Sequence, residues 1–167
     1  MLPVFRTHYQ TAYVTTDREQ ALKLFADRYG VTEWYRPDPF DLQTLKGESY
    51  RLSVAHAFVG ETNIEVIQPV SGADVLYRDI LPTTGFGLRF HHRAFRIFSD
   101  AEWDTTRESG LAAGHTICWQ GSAVGTKVLY FDTFAEIGHY AEYLYFFDIA
   151  KSSFPKIPHN PPRAGLG

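Results

Sequence analysis

The sequence predicts an α+β fold made of two tandem β-α-β-β-β modules whose strands join in one mixed sheet. Two observations carry this. Strand signals, a capped helix and three further strand signals follow one another over residues 5–70, and the same order returns over residues 88–148. Each half also opens on a strand with a His and closes on a strand with a Glu, so that His8 and Glu65 match His92 and Glu142. The 167 residues, 44% hydrophobic and 21% charged, are enough to bury one core and too few to hide a second large domain.

In the first module, THYQTAYVT (Thr7 to Thr15) mixes aromatic and β-branched residues with small or polar ones, a strand signal. Asp17 is the expected N-cap of REQALKLFADRYG, where Ala21, Leu22, Leu24 and Phe25 cluster on one face and Gly30 closes the helix. VTEWY is expected as a short second strand and RPDPFD as a turn. Tyr50 to Val59 and Asn63 to Gln68 follow as strands joined by a tight Gly60-Glu61 connection. Residues 71–87 read as a linker containing Ser71-Gly72 and Pro82.

The second module opens with a strand from Leu88 to Phe98. Asp100 is the expected cap of AEWDTTRES, and Gly110 its stop. HTICWQG, GTKVLYFDT and HYAEYLYFF complete it as strands between Gly-containing turns. Residues 149–167 include KSSFPKIPHNPPRAGLG, rich in Pro and Gly without periodicity, and are expected as an extended arm.

A net charge of -3 and a pI near 6.1 give no electrostatic reason for nucleic acid or an anionic membrane as partner, which leaves a small molecule. One cysteine, Cys118, makes an intrachain disulfide impossible and denies the chain a thiolate metal site, which fits the cytoplasm. MLPVFRTHYQTAYVTTD has no export pattern, and no run of eighteen apolar residues suggests a membrane span.

Side chains alternate faces along a strand. His8 is then expected on a concave face with Gln10 and Ala12, Glu65 with Asn63 and Ile67, His92 with Ala94, and Glu142 with Leu144 and Phe146. Two imidazoles and two carboxylates form an N/O set suited to Mg, Mn, Fe, Co, Ni or Zn, with a position left open for water or substrate. Such an ion is a Lewis acid for a substrate carbonyl, and a nearby carboxylate would move the adjacent proton.

THYQTAYVTTDREQALKLFADRYGV, GETNIEVIQP, GLRFHHRAF and GHYAEYLYF resemble the vicinal oxygen chelate superfamily over about residues 5–148. That superfamily includes glyoxalase I, methylmalonyl-CoA epimerase, extradiol dioxygenases and the fosfomycin and bleomycin resistance proteins. The segments look most like the epimerase and its glyoxalase-like relatives. The resemblance implies a curved mixed sheet around a metal-binding cavity, with His8, Glu65, His92 and Glu142 as ligands. The second His of a His-His pair is the ligand in the family pattern, which selects His92 over His91. In the epimerases a further carboxylate just ahead of the third strand works with the last-strand Glu as an acid/base pair. An ungapped count puts Glu48 there, beside Glu142.

The expected activity is therefore that of a divalent-metal-dependent isomerase or epimerase, or a glyoxalase-type lyase. It would abstract an α-proton from a carbonyl substrate, an acyl-CoA among the candidates. The alternatives are an extradiol-type dioxygenase, which needs redox-active iron and usually two His with one carboxylate, and a non-catalytic binding or resistance protein of the same fold. Arg93 and Arg96 are candidates for an anionic substrate group. His56, in phase with Leu52, Val54 and Phe58, is expected against the helix with no role, and a homodimer is the expected assembly.

Overall fold

The computed structural model describes residues 7–45, 47–72, 75–123, 125–148 and 154–161. The first half runs β1 (His8–Thr15), α1 (Arg18–Tyr29), β2 (Phe40–Thr44), β3 (Ser49–Val59) and β4 (Thr62–Gly72). A single-turn helix, α2 (Val75–Arg78), leads to the second half: β5 (Leu88–Ile97), α3 (Asp100–Ala112), β6 (Thr116–Ala123), β7 (Thr126–Asp132), the short α4 (Phe134–Ile137) and β8 (Tyr140–Phe146). A 3-10 turn at Phe154–Lys156 and the two-residue β9 (His159–Asn160) follow.

The repeat inferred from the sequence is present in the hydrogen bonding. In each half the first strand lies parallel to the last, β1 to β4 and β5 to β8, and the last three strands form an antiparallel run. The halves meet where β1 and β5 pair antiparallel. Because β2 pairs with both β3 and β6, eight strands close around an interior, and β9 adds to β3 from outside that ring. Ala12, Val14, Leu52, Val54, Ile67, Ala94, Val128 and Leu144 face inwards and share one core. The outer faces are covered by α1, through Ala21, Leu22 and Phe25, and by α3, through Trp103. Hydrophobic burial thus has two places to go, and the strands alternate between them.

The helix α1 forms where expected. The carboxylate of Asp17 accepts from the Gln20 amide at 3.0 Å, and Gly30 closes the helix at φ 74°, a left-handed conformation that Gly adopts at little cost. Three local expectations are corrected. VTEWY is not a strand: Val31 and Trp34 pack towards α1, and Tyr35 makes only an isolated bridge to His56. The second strand is instead FDLQT, whose alternation puts Leu42 inside. The cap of α3 is Ser99 rather than Asp100, since Ser99 Oγ accepts from the Glu102 amide at 3.1 Å. The helix also runs through Gly110 to Ala112, because Gly110 is buried on the face of Trp103 and Thr106, where the missing side chain lets the helix approach the sheet. Among the described residues no helix is long and apolar enough to cross a membrane.

Part of the C-terminal arm is ordered against the ring. Asn160 is buried; its Oδ1 accepts from the Thr32 and Glu33 amides at 2.9 and 3.0 Å, and its Nδ2 donates to the Glu33 carbonyl at 3.0 Å. This clamp holds Phe154 and Ile157 at the wall of the interior cavity.

Candidate active site

The ring encloses a cavity of about 330 Å³ lined from both halves. β4 contributes Glu65 and Ile67, β8 contributes Glu142, Leu144 and Phe146, and β3 contributes Leu52, Val54 and His56. Unbroken alternation aims Glu65 and Glu142 inwards as expected, and His92 meets them from β5. His92 Nε2 lies 3.0 Å from Glu142 Oε2 and 3.5 Å from Glu65 Oε2. The imidazole is fully buried, and burial opposes its protonation. The Glu142 and Glu65 carboxylates win, raising its pKa from 6.5 to about 9. Glu65 shows the converse: burial favours its neutral form, but the hydrogen bond from His92 and the nearby imidazoles hold its pKa below the usual value.

The other edge of His92 is set by its neighbour. His91 Nε2 lies 2.9 Å from the Leu76 carbonyl and must donate to it, which leaves His91 Nδ1 as an acceptor 2.8 Å from His92 Nδ1. Burial and the charge of His92 push the His91 pKa well down, so it holds that one proton and no second. His92 Nδ1 therefore carries hydrogen, and its Nε2 faces two carboxylates. A lone pair aimed at two anions needs a cation between them, either a proton on Nε2 or a bound ion.

His8 does not join this group. A register irregularity between His8 and Gln10 in the β1–β5 ladder lets both Tyr9 and Gln10 line the cavity and turns His8 to the exposed outer face. There His8 Nε2 contacts Thr11 Oγ1 at 3.3 Å, and its ring sits 6.2 Å from that of Phe95. The physical cause is the burial of Tyr9, which packs edge-on to Phe58 and Phe146. Its place in the cavity is taken by Gln10, whose Nε2 donates to Asn63 Oδ1 at 2.9 Å. A countable signal existed: Gln10 stands seven residues before the cap Asp17, as His92 stands seven before the cap Ser99.

Glu48 is also displaced. It is exposed in the β2–β3 connection, its amide donating to Thr44 Oγ1, and it does not line the cavity. Arg93 lies on the face of β5 opposite His92 and Ala94 and does not line the cavity either. Arg96 shares the face of His92 but is packed against aromatic rings, its guanidinium carbon 5.5 Å from the Tyr9 centroid, 5.7 Å from Phe146 and 5.5 Å from Phe154.

His56, expected against the helix, faces the cavity. Its Nδ1 lies 3.3 Å from Asn63 Oδ1 and donates to it, and its Nε2 is 3.8 Å from Glu65 Oε1. The tight turn after Val59 makes His56 and Glu65 directly opposite partners, and such partners share a face. Tyr130, opposite Glu142 on β7, was likewise unassigned; its hydroxyl is 3.3 Å from His92 Nδ1 and 3.4 Å from the Tyr77 hydroxyl.

Whether these residues suit a divalent ion can be judged from the buried atoms themselves. Among the described residues no cluster of three or more His, Cys, Asp or Glu is preformed as a cation cage, because Glu65 and Glu142 close on the imidazole. Yet His92 Nε2 and Glu142 Oε2 are buried without a well-formed hydrogen bond. Their 3.0 Å separation is also that of neighbouring ligands around an ion with bonds of about 2.1 Å. The donor set fits, with one imidazole, two carboxylates and the amide of Gln10.

Comparison with curated proteins finds no match by sequence. Among solved structures, methylmalonyl-CoA epimerase from Mycobacterium tuberculosis superposes with a TM-score of 0.59 at 11% identity, over 91% of this chain and 97% of that one. A methylmalonyl-CoA epimerase in complex with methylmalonyl-CoA and ammonium gives 0.56 at 13% identity, over 86% and 96%. A selenomethionine methylmalonyl-CoA epimerase gives 0.53 at 16% identity, over 87% and 99%. At these identities the likeness is one of fold. The family model described as the glyoxalase/bleomycin resistance protein/dioxygenase superfamily matches residues 9–130, most of both modules, and to that superfamily the chain belongs.

Proposed function

We propose that the cavity is the active site of a divalent-metal-dependent isomerase or epimerase, or of a glyoxalase-type lyase, that moves a proton next to a substrate carbonyl. The observation that carries this reading is the meeting of Glu65, His92 and Glu142 at an aromatic cavity, with the His92 Nε2 edge held towards both carboxylates. These three, with Gln10, would hold the ion. When bound, the ion supplies Lewis-acid polarisation of the carbonyl oxygen.

The chain's own residues do the rest. His91 fixes the His92 ring through the Leu76 carbonyl, and Asn63 fixes both Gln10 and His56. His56, with hydrogen on Nδ1, turns Nε2 into the cavity. Imidazole suits proton transfer near neutral pH, so His56 takes the acid/base place expected for Glu48, with Glu142 on the other wall. The tyrosines and phenylalanines of the lining keep water from the reacting carbon. A single imidazole in the donor set weighs against the dioxygenase alternative, whose iron usually takes two His.

A second reading rests on the pairing of His92 Nε2 with Glu142 at 3.0 Å, which a proton on Nε2 satisfies by itself: a metal-free protein that binds a small molecule in the same cavity. Metal content of protein purified without chelator or His-tag separates the two. Near-stoichiometric metal that disappears in Glu142→Gln, together with solvent deuterium entering a bound ketone, supports the enzyme. Metal-free wild-type protein that gains none on dialysis against Co²⁺ or Zn²⁺ overturns it.

A further inference from the structure

We infer that the cavity selects an uncharged, largely apolar carbonyl compound and rejects anions; this rests on reading the cavity as the substrate site. The charged residues lining it are Asp38, Glu65 and Glu142, and among the described residues no Lys or Arg lines it. The arginines expected to meet an anionic group are placed elsewhere. Arg93 is on the far face of β5, and Arg96 is held against the rings of Tyr9, Phe146 and Phe154 without lining the cavity. Basic character at the cavity comes from His56 and from the buried His92.

Charge balance then decides what fits. A proton on His92 leaves Glu65 and Glu142 with one negative charge in excess, a divalent ion in their grasp would cancel theirs, and Asp38 adds a further negative charge in either state. Neither state has positive charge to spare. An anion entering here would face the lining carboxylates Asp38, Glu65 and Glu142 with no lining Lys or Arg as counter-charge, which costs more than placing a neutral carbonyl beside them. A neutral substrate keeps the balance through the reaction as well. The proton leaving carbon moves to a side chain of the cavity while the electron pair stays on the substrate, so the total charge inside is unchanged. At about 330 Å³ the cavity is at the small end for ligand pockets and suits a small carbonyl compound.

The test is calorimetry with 1-phenylpropane-1,2-dione and phenylglyoxylate, which match in size and differ in a methyl ketone against a carboxylate. Both are titrated into chelator-treated and Co²⁺-loaded protein. The dione is expected to bind in both states and phenylglyoxylate to bind at least about 100-fold more weakly. In chelator-treated Glu65→Gln, which loses one negative charge, the gap should narrow by about tenfold. Phenylglyoxylate binding as tightly as the dione in either state overturns the inference, as does failure of both to bind. Exchange of the dione's methyl protons with deuterium, followed by NMR, reports separately on the proposed reaction. Binding of the dione without exchange in loaded protein refutes the proton-transfer reading and leaves the selectivity standing.

Discussion

Raising the pH of chelator-treated protein should unfold it from within the cavity. The His92 pKa stands at about 9 in the folded protein against 6.5 for an ordinary histidine. Each pKa unit is worth about 1.4 kcal/mol, so the ion pairs with Glu142 and Glu65 contribute about 3 kcal/mol. A group whose folded pKa is raised gives that stability in full below its unfolded pKa and loses it as pH rises through the folded one. About 2 kcal/mol should therefore be lost between pH 6.5 and about pH 8.5. Few other shifted groups act in this window. The low pKa of His91 has its effect below pH 6.5, where the unfolded chain takes up a proton that the buried ring refuses. Burial pushes Tyr9 up to about 12, which destabilises the fold only from about pH 9 upwards. Urea titration reads the effect directly: at a slope of about 2 kcal/mol per molar, the midpoint should fall by about 1 M across the window. Glu142→Gln should remove most of this pH dependence. With saturating Co²⁺ the sign should reverse, since the ion competes with the proton for Nε2. A midpoint in chelator-treated protein that is flat or rises over the window would refute the paired, protonated His92.

Other perturbations separate the parts of the site. His91→Phe keeps a buried ring but removes the acceptor that orients His92, and should weaken Co²⁺ binding by about 10- to 100-fold, read by chelator competition. His56→Gln should leave metal content unchanged and slow α-proton exchange by about 100-fold or more; unchanged exchange would remove His56 from proton transfer. Asn160→Ala leaves two amides and a carbonyl without partners and should cost about 1–3 kcal/mol in urea unfolding. Gly121→Ala drives a methyl group into the Gln43 carbonyl oxygen, so it should strain the β2–β6 closure and lower the urea midpoint.

The repeat was legible because its markers are local: caps, glycine stops and the period of two in each strand. Glu65 and Glu142 were legible for the same reason, since alternation is unbroken around each of them, whereas His92 was chosen from the His-His pattern of the resemblance, the β1–β5 ladder skipping His91 beside it. His8 failed because parity was carried across a bulge that no local signal announced; counting from the helix cap, a fixed point on the same strand-helix unit, leads to Gln10. Its face also shows that the match between the modules is one of position and not of residue type. His56 failed differently. Its phase was read correctly and its face was not, although the tight turn after Val59 already made it the partner of Glu65. Glu48 depended on a gapless count through the β2–β3 connection, where chain length is free to vary, and Arg93 could have been set aside from parity with His92 alone. VTEWY has strand-like residues, but Val31 and Trp34 spend them on α1.

The two halves divide the site unequally, and that inequality bears on its chemistry. In the second half His92 is fully buried and lies 3.0 Å from Glu142, with His91 and Tyr130 packed behind it. In the first half Gln10 and His56 are tied together through Asn63, and Glu65 stands 3.5 Å from His92 and 3.8 Å from His56. Glu65 is thus the carboxylate with two imidazole neighbours, and it sits where a side chain must be to pass a proton between them. The β1–β5 ladder is the seam between the two halves, and its irregularity at His8/Gln10 puts the neutral amide of Gln10 in the cavity in place of a second imidazole. With two carboxylates and one imidazole, the donor set cancels the charge of a divalent ion; an imidazole at position 10 in place of the amide would leave that cancellation untouched, whereas Glu65→Gln would not. Charge at the site is therefore set by the two closing strands, β4 and β8, and the opening strands set only its geometry.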